Sequence, residues 1–128
     1  MEDKNYSEKD LSELIKWLKV IGEPKRIMLL EKIIEGVQCN CELGSSLQMA
    51  ANLTSHHLSV LRESGLVDSE RDPVDGRWIY YSINLQAMQE MKNALNSFFD
   101  ERRIQPRKLT CGPNSGEKDI TAGQILAN

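Results

Sequence analysis

Leu11, Leu14, Ile15 and Leu18 recur at steps of three and four until Gly22 stops the run, the spacing of one face of a helix. Ser7-Glu8-Lys9-Asp10 just before them has the form of a capping box, so a first helix begins there. Pro24 suits the first turn of a second helix, whose stripe of Ile27, Leu30, Ile33 and Ile34 ends at Gly36. Asn40 is placed to cap a short third helix through roughly Leu47, with Glu42 in the first turn, where the helix dipole favours negative charge. After a turn at Gln48-Met49-Ala50, a fourth helix is expected from about Asn52 to Ser64, with Gly65 as its left-handed stop. The pattern then changes. Leu66-Val67 opens an extended segment, Asp72-Pro73-Val74-Asp75-Gly76 is dense in turn formers, and Arg77 to Ile83 is rich in aromatic and branched residues, which together predict a hairpin. Asn84 can cap a last helix in which Leu85, Met88, Met91, Leu95 and Phe98 form a second stripe, continuing to about Arg102, with Pro106 as the terminator. Beyond it no period is visible. The expected organisation is one domain over residues 7–103 and a flexible tail over residues 104–128 that carries Cys111.

A chain of 128 residues has the size of a single domain, and its 40% hydrophobic and 27% charged residues are ordinary for a globular protein. No apolar run approaches the roughly 18 residues needed to cross a bilayer, so no membrane partner is expected. The start, MEDKNYSEKD, lacks the basic and apolar regions of a secretory signal, which makes the cytoplasm the expected compartment. Three cysteines are an odd number and too few for a disulfide scaffold, so the thiols are expected to be free, metal-bound or reactive. A net charge of -3 argues against indiscriminate coating of nucleic acid but leaves room for a local basic face.

The order helix, helix, helix-turn-helix, hairpin, helix is the layout of a winged helix-turn-helix: mainly α with a β-hairpin wing, its fourth helix destined for the major groove. On that helix Leu58 and Leu61 mark the buried side, while Asn52, Ser55, His56, Ser59 and Arg62 share another face. A polar face with one cation and no carboxylate in its first turns suits base edges and phosphates. Consecutive helical residues diverge by about 100°, so His56 and His57 do not chelate one ion; His56 is expected outward and His57 inward, hydrogen-bonded beside the core. Arg77, with Arg71 across the loop, is placed for phosphate contact from the wing, although Asp72 and Asp75 weaken the field there.

Four blocks then come into register. GEPKRIMLLEKI in the second helix, CNCEL at the third, SHHLSVLRESGLV through the fourth and GRWIYYSI in the hairpin resemble the ArsR/SmtB family of small winged-helix repressors that respond to metals and metalloids. The resemblance covers about Leu14 to Phe98. It implies a homodimer built on the first and last helices, bound to a partly palindromic operator in double-stranded DNA and released by an inducer, with no cofactor required. Two departures stand out. The turn LQMAANLTS lacks the Ser-Gln start common in the family and leaves Ala50 at the expected cap, and the last helix lacks the Asp-x-His and His-x-x-Glu pairs of the zinc-sensing branch.

In the arsenic-sensing branch the resemblance places a C-x-C at the third helix, often with another cysteine three residues later. Cys39 and Cys41 match, but the next position is Gly44. Residues i and i+2 of a regular helix point apart, so both thiols can reach one ion only where the chain is leaving a loop and entering the helix. Soft thiolates suit arsenite, antimonite, cadmium, lead or copper(I). Cys111 is the one other cysteine and is the candidate third ligand. The expected function is therefore a repressor that releases its operator when trivalent arsenic or antimony binds Cys39, Cys41 and Cys111. A cadmium or lead sensor of the same fold, and a redox regulator pairing a thiol with Cys111, remain open beside it, as does a constitutive winged-helix module. A thiol enzyme fits poorly, since no C-x-x-C lies in a strand-helix context and no base with an orienting partner accompanies the cysteines.

Overall fold

The capping box closes as its residues predict: the Asp10 N–H donates to Ser7 Oγ at 3.1 Å and the Ser7 N–H donates to Asp10 Oδ2 at 2.9 Å. The computed structural model describes residues 6–108 and 111–113. From the box runs α1 (Glu8–Ile21), then α2 (Pro24–Ile34), α3 (Asn40–Ser46) and α4 (Ala51–Glu63). Strands β1 (Val67–Arg71) and β2 (Ile79–Ile83) pair antiparallel from Val67 opposite Ile83 to Arg71 opposite Ile79, and α5 (Leu85–Phe98) follows. The fold is the expected winged helix-turn-helix.

Chain punctuation explains the boundaries. Pro24 occupies the first turn of α2, where a missing N–H costs nothing, and the Glu23 carboxylate accepts from the Lys25 N–H at 2.7 Å. Gly65 has φ of 89°, a conformation that lets the chain turn out of α4 into β1. The Asn84 side chain caps α5 through the Ala87 N–H at 2.9 Å.

Three expectations about elements need correction. Cys39, in extended conformation, is the N-cap of α3, and Asn40 is its first helical residue. Helix α5 ends at Phe98 rather than near Arg102, because the Asp100 carboxylate accepts the Arg102 N–H at 2.9 Å and starts a separate 3-10 turn, Glu101–Arg103. The stripes are also rotated. In α2 the core takes Leu29, Leu30 and Ile33, leaving Ile27 and Ile34 exposed, since the packing of α2 against β2 and α4 decides which side of the helix faces inward. At the start of α5, Leu85 faces solvent and Ala87 is the buried residue.

Trp17, Leu29, Leu43, Leu58, Leu61, Leu66 and Val67 are fully buried and form one core, which β2 joins through Tyr81 and Ile83 and α5 through Ala87. Helix α1 has two apolar faces: Leu14 and Trp17 point inward, whereas Leu11, Ile15 and Leu18 remain 41%, 43% and 45% exposed in a row. Helices α1 and α5 pack against each other. The Arg103 guanidinium lies 3.7 Å over the Tyr6 ring and joins the end of α5 to the start of α1. Among the described residues no helix is long and apolar enough to cross a membrane.

Candidate nucleic-acid interface and thiol site

Helix α4 divides as its sequence predicts. Thr54, His57, Leu58 and Leu61 are buried, while Asn52, Ser55, His56 and Arg62 are exposed and Ser59 is half-buried between them. Ala50 is the N-cap and contributes no side-chain hydrogen bond; the Thr54 hydroxyl donates to the Ala50 carbonyl at 2.9 Å instead. His57 is held from α2: Arg26 Nη1 donates to His57 Nδ1 at 3.1 Å, which places the ring proton on Nε2, 3.9 Å from the Glu23 carboxylate. Burial lowers the His57 pKa, and the neighbouring Arg26 lowers it further against the opposing pull of Glu23, so the ring is neutral at pH 7. The same guanidinium donates to the carbonyls of Val20 at 2.6 Å and Lys19 at 3.1 Å, tying the C-terminal end of α1 to α4. Sequence patterning missed this role of Arg26, because no local period announces a contact across three helices.

Between α4 and the hairpin lies a cleft of about 220 Å³ lined by Ser55, Ser59, Arg62, Ser69, Arg71, Ile79 and Tyr81. Two arginines, three serines and one tyrosine share it, and their guanidinium and hydroxyl groups are all donors suited to phosphate oxygens. Arg71 Nη1 donates to the Gly76 carbonyl at 2.6 Å, which fixes the side chain along the wing. Arg77 stands differently: Nη2 donates to Asp75 Oδ2 at 2.8 Å and Nε to Asp75 Oδ1 at 3.0 Å, although the side chain is 87% exposed. That pairing holds the Asp75 carboxyl below its usual range and offsets the Arg77 charge. Of the two wing arginines, Arg77 is thus paired with a carboxylate, whereas the Arg71 guanidinium donates to a backbone carbonyl that carries no net charge.

The cysteines are not assembled. Cys39 is buried at the N-cap of α3, Cys41 is exposed within its first turn, and Cys111 is exposed beyond α5. Among the described residues no three His, Cys, Asp or Glu side chains lie close enough to share an ion. Cys39 and Cys41 do straddle the junction between extended chain and helix that two-thiol ligation needs.

The family model for "Bacterial regulatory protein, arsR family" matches residues 23–69, which span α2 to β1. The biofilm growth-associated repressor of Xylella fastidiosa is 32% identical over 92 residues, covering 72% of this chain and 78% of that protein. The chain belongs to the ArsR family. A solved structure titled as a possible transcriptional regulator for arsenical resistance superimposes with a TM-score of 0.59 at 30% identity, covering 66% of this chain and 85% of the other. The cadmium resistance regulator CadC of Listeria innocua is 28% identical over 82 residues, or 62% of this chain and 66% of that protein. ArsR-family members are transcriptional regulators rather than enzymes, and typically bind operator DNA as dimers.

For an ArsR-family chain, Gly44 at the position after the C-x-C has a physical reason. It is buried where α3 packs on α4, and a Cβ built there would stand 2.9 Å from Thr54 Oγ1 and 3.5 Å from the Met49 carbonyl. Any side chain, a cysteine included, would push the recognition helix away or break the Thr54 bond to Ala50. Gly44→Ala is therefore expected to lower unfolding stability by about 1–3 kcal/mol in urea titrations despite the better helix propensity of alanine.

Proposed function

We propose that this repressor binds a partly palindromic operator as a homodimer and releases it when trivalent arsenic or antimony binds the thiolates of Cys39 and Cys41. The observation that carries the reading is the position of this pair at the first turn of α3, the helix packed directly on α4. Asn52, Ser55, His56 and Ser59 would read base edges in the major groove, and Arg62, Arg71 and Arg77 would hold phosphates on either side. The exposed row of Leu11, Ile15 and Leu18 on α1, beside α5, supplies the seam between two copies.

Ligation requires the buried Cys39 thiol to turn out and meet Cys41, which disturbs the start of α3 and hence the setting of α4. Cys111 would complete a trigonal set of sulfurs, from its own chain or from the partner copy, because Gly44 cannot. Likeness to the cadmium regulator favours a second reading in which a larger soft cation takes the same thiols. A gel-shift titration with arsenite, antimonite, cadmium, lead, zinc and peroxide tests these readings. Release is expected at the lowest concentration with arsenite or antimonite, and Cys111→Ser should raise the arsenite needed about tenfold or more. Release by cadmium or lead alone would transfer the assignment to those ions, and release by peroxide alone would make the switch a redox one.

A further inference from the structure

We propose that occupation of the thiol site is passed to the wing as well as to α4, through the pairing of Gln38, Cys39 and Asn40 with β2, and that Tyr80 is the positioning residue of the wing. This rests on the reading of Cys39 and Cys41 as inducer ligands and adds a second route by which their occupation reaches DNA.

Three consecutive residues of β2 are attached to three consecutive residues at the entrance to α3. Cys39 bridges Tyr80 antiparallel, the Tyr81 N–H donates to the Gln38 carbonyl at 2.8 Å, and the Ile79 N–H reaches Asn40 Oδ1 at 3.5 Å. A two-stranded hairpin is marginal alone, so an added partner along the free side of β2 has a large influence on where the wing stands. From β2 the connection continues through side chains. The Tyr80 hydroxyl donates to Asp72 Oδ2 at 2.8 Å, and Asp72 Oδ1 accepts from the N–H groups of Val74 at 2.8 Å and Asp75 at 3.0 Å. Asp75 in turn holds Arg77. An unbroken line of contacts thus runs from Cys39 to the tip of the wing.

Cys39 is the weak point of that line. Its side chain is 7% exposed, whereas Cys41 faces solvent. Joining the two to one ion requires the buried Cys39 thiol to turn out toward Cys41, and we take that turn to be shared by the backbone around residues 38–40, which moves the Gln38 carbonyl off the Tyr81 N–H. The inducer would thereby unfasten the wing as it tilts α4, and Arg71 would leave the cleft it shares with Arg62.

Amide hydrogen exchange on the full chain, with and without arsenite, tests the link. Tyr81 turns its N–H away from β1, so Tyr80 and Ser82 turn theirs toward it. With arsenite bound, the Tyr81 and Ile79 amides are expected to exchange about tenfold faster or more, while Tyr80 and Ser82 keep their protection. Tyr80→Phe should weaken operator binding about fivefold and reduce the arsenite-induced loss of affinity by a similar factor, because the wing is already loosened. An unchanged Tyr81 amide in protein that still releases operator with arsenite would overturn the wing link and leave the sensor reading standing. Failure of arsenite to release the operator would remove both. Equal loss of affinity with and without arsenite in Tyr80→Phe would mark Tyr80 as a stabilising residue only and overturn its positioning role.

Discussion

Replacing Arg62 and Arg71 together with alanine is expected to lower operator affinity about 10²- to 10³-fold, taking roughly 1 kcal/mol for each phosphate contact in a dimer that presents both residues twice. The two guanidinium groups share one cleft between the recognition helix and the wing, with serine hydroxyls beside them and no carboxylate in its lining. Loss of four phosphate contacts should also flatten the dependence of log affinity on log salt concentration by about 3 to 4. Arg77→Ala should change affinity by about threefold or less, since Asp75 already engages that side chain. Fluorescence anisotropy on an operator duplex at several salt concentrations measures both quantities. A larger effect at Arg77 than at the Arg62 and Arg71 pair would move the main phosphate contact to the tip of the wing.

Cys39→Ser with Cys41→Ser is expected to leave operator binding near its original strength and to abolish metalloid-triggered release. Serine keeps the size of the side chain, and an oxygen at the N-cap of α3 can accept a helix N–H, so the helix should form at least as well as it does from Cys39, which makes no such bond. The hydroxyls have little affinity for a soft trivalent centre. Coupling of about 1–3 kcal/mol between inducer and operator corresponds to a 5- to 150-fold change in affinity, and that whole factor should vanish in the double variant. The same factor read in reverse predicts that operator DNA weakens arsenite binding to the unaltered protein. Isothermal titration of arsenite into free and operator-bound repressor measures it. Arsenite release that survives the double substitution would place the inducer elsewhere on the chain.

Most of the architecture was legible from local signals because capping residues, proline and glycine act locally. Ser7, Pro24, Gly65 and Asn84 each stop or start an element through hydrogen bonds or backbone angles within a few residues of themselves. The outward face of α4 was readable for a similar reason, since Leu58 and Leu61 fix the rotation of the helix. What escaped depends on partners distant in sequence. The inward face of α2 is decided by the elements around it, so Leu29 took the place expected for Ile27 and Ile34. Arg26 reaches His57 across 31 positions, and Ile79 reaches Asn40 across 39. The value of Gly44 was visible only as a missing cysteine until the nearness of Thr54 showed why a side chain is excluded there. The family resemblance drawn from four motif blocks held, and it is the thiol chemistry that now calls for measurement.

The outward row of Leu11, Ile15 and Leu18 has a consequence for which operators can be read at all. If two copies meet along α1 and α5, the aliphatic fit of that seam fixes how far apart, and at what angle, the two α4 helices stand, while Arg26 transmits the setting of α1 to each of them. Spacing between operator half-sites is then encoded in three hydrocarbon side chains that never touch a base. A bulkier residue at Ile15 would change the preferred number of base pairs between half-sites while leaving the preferred bases alone.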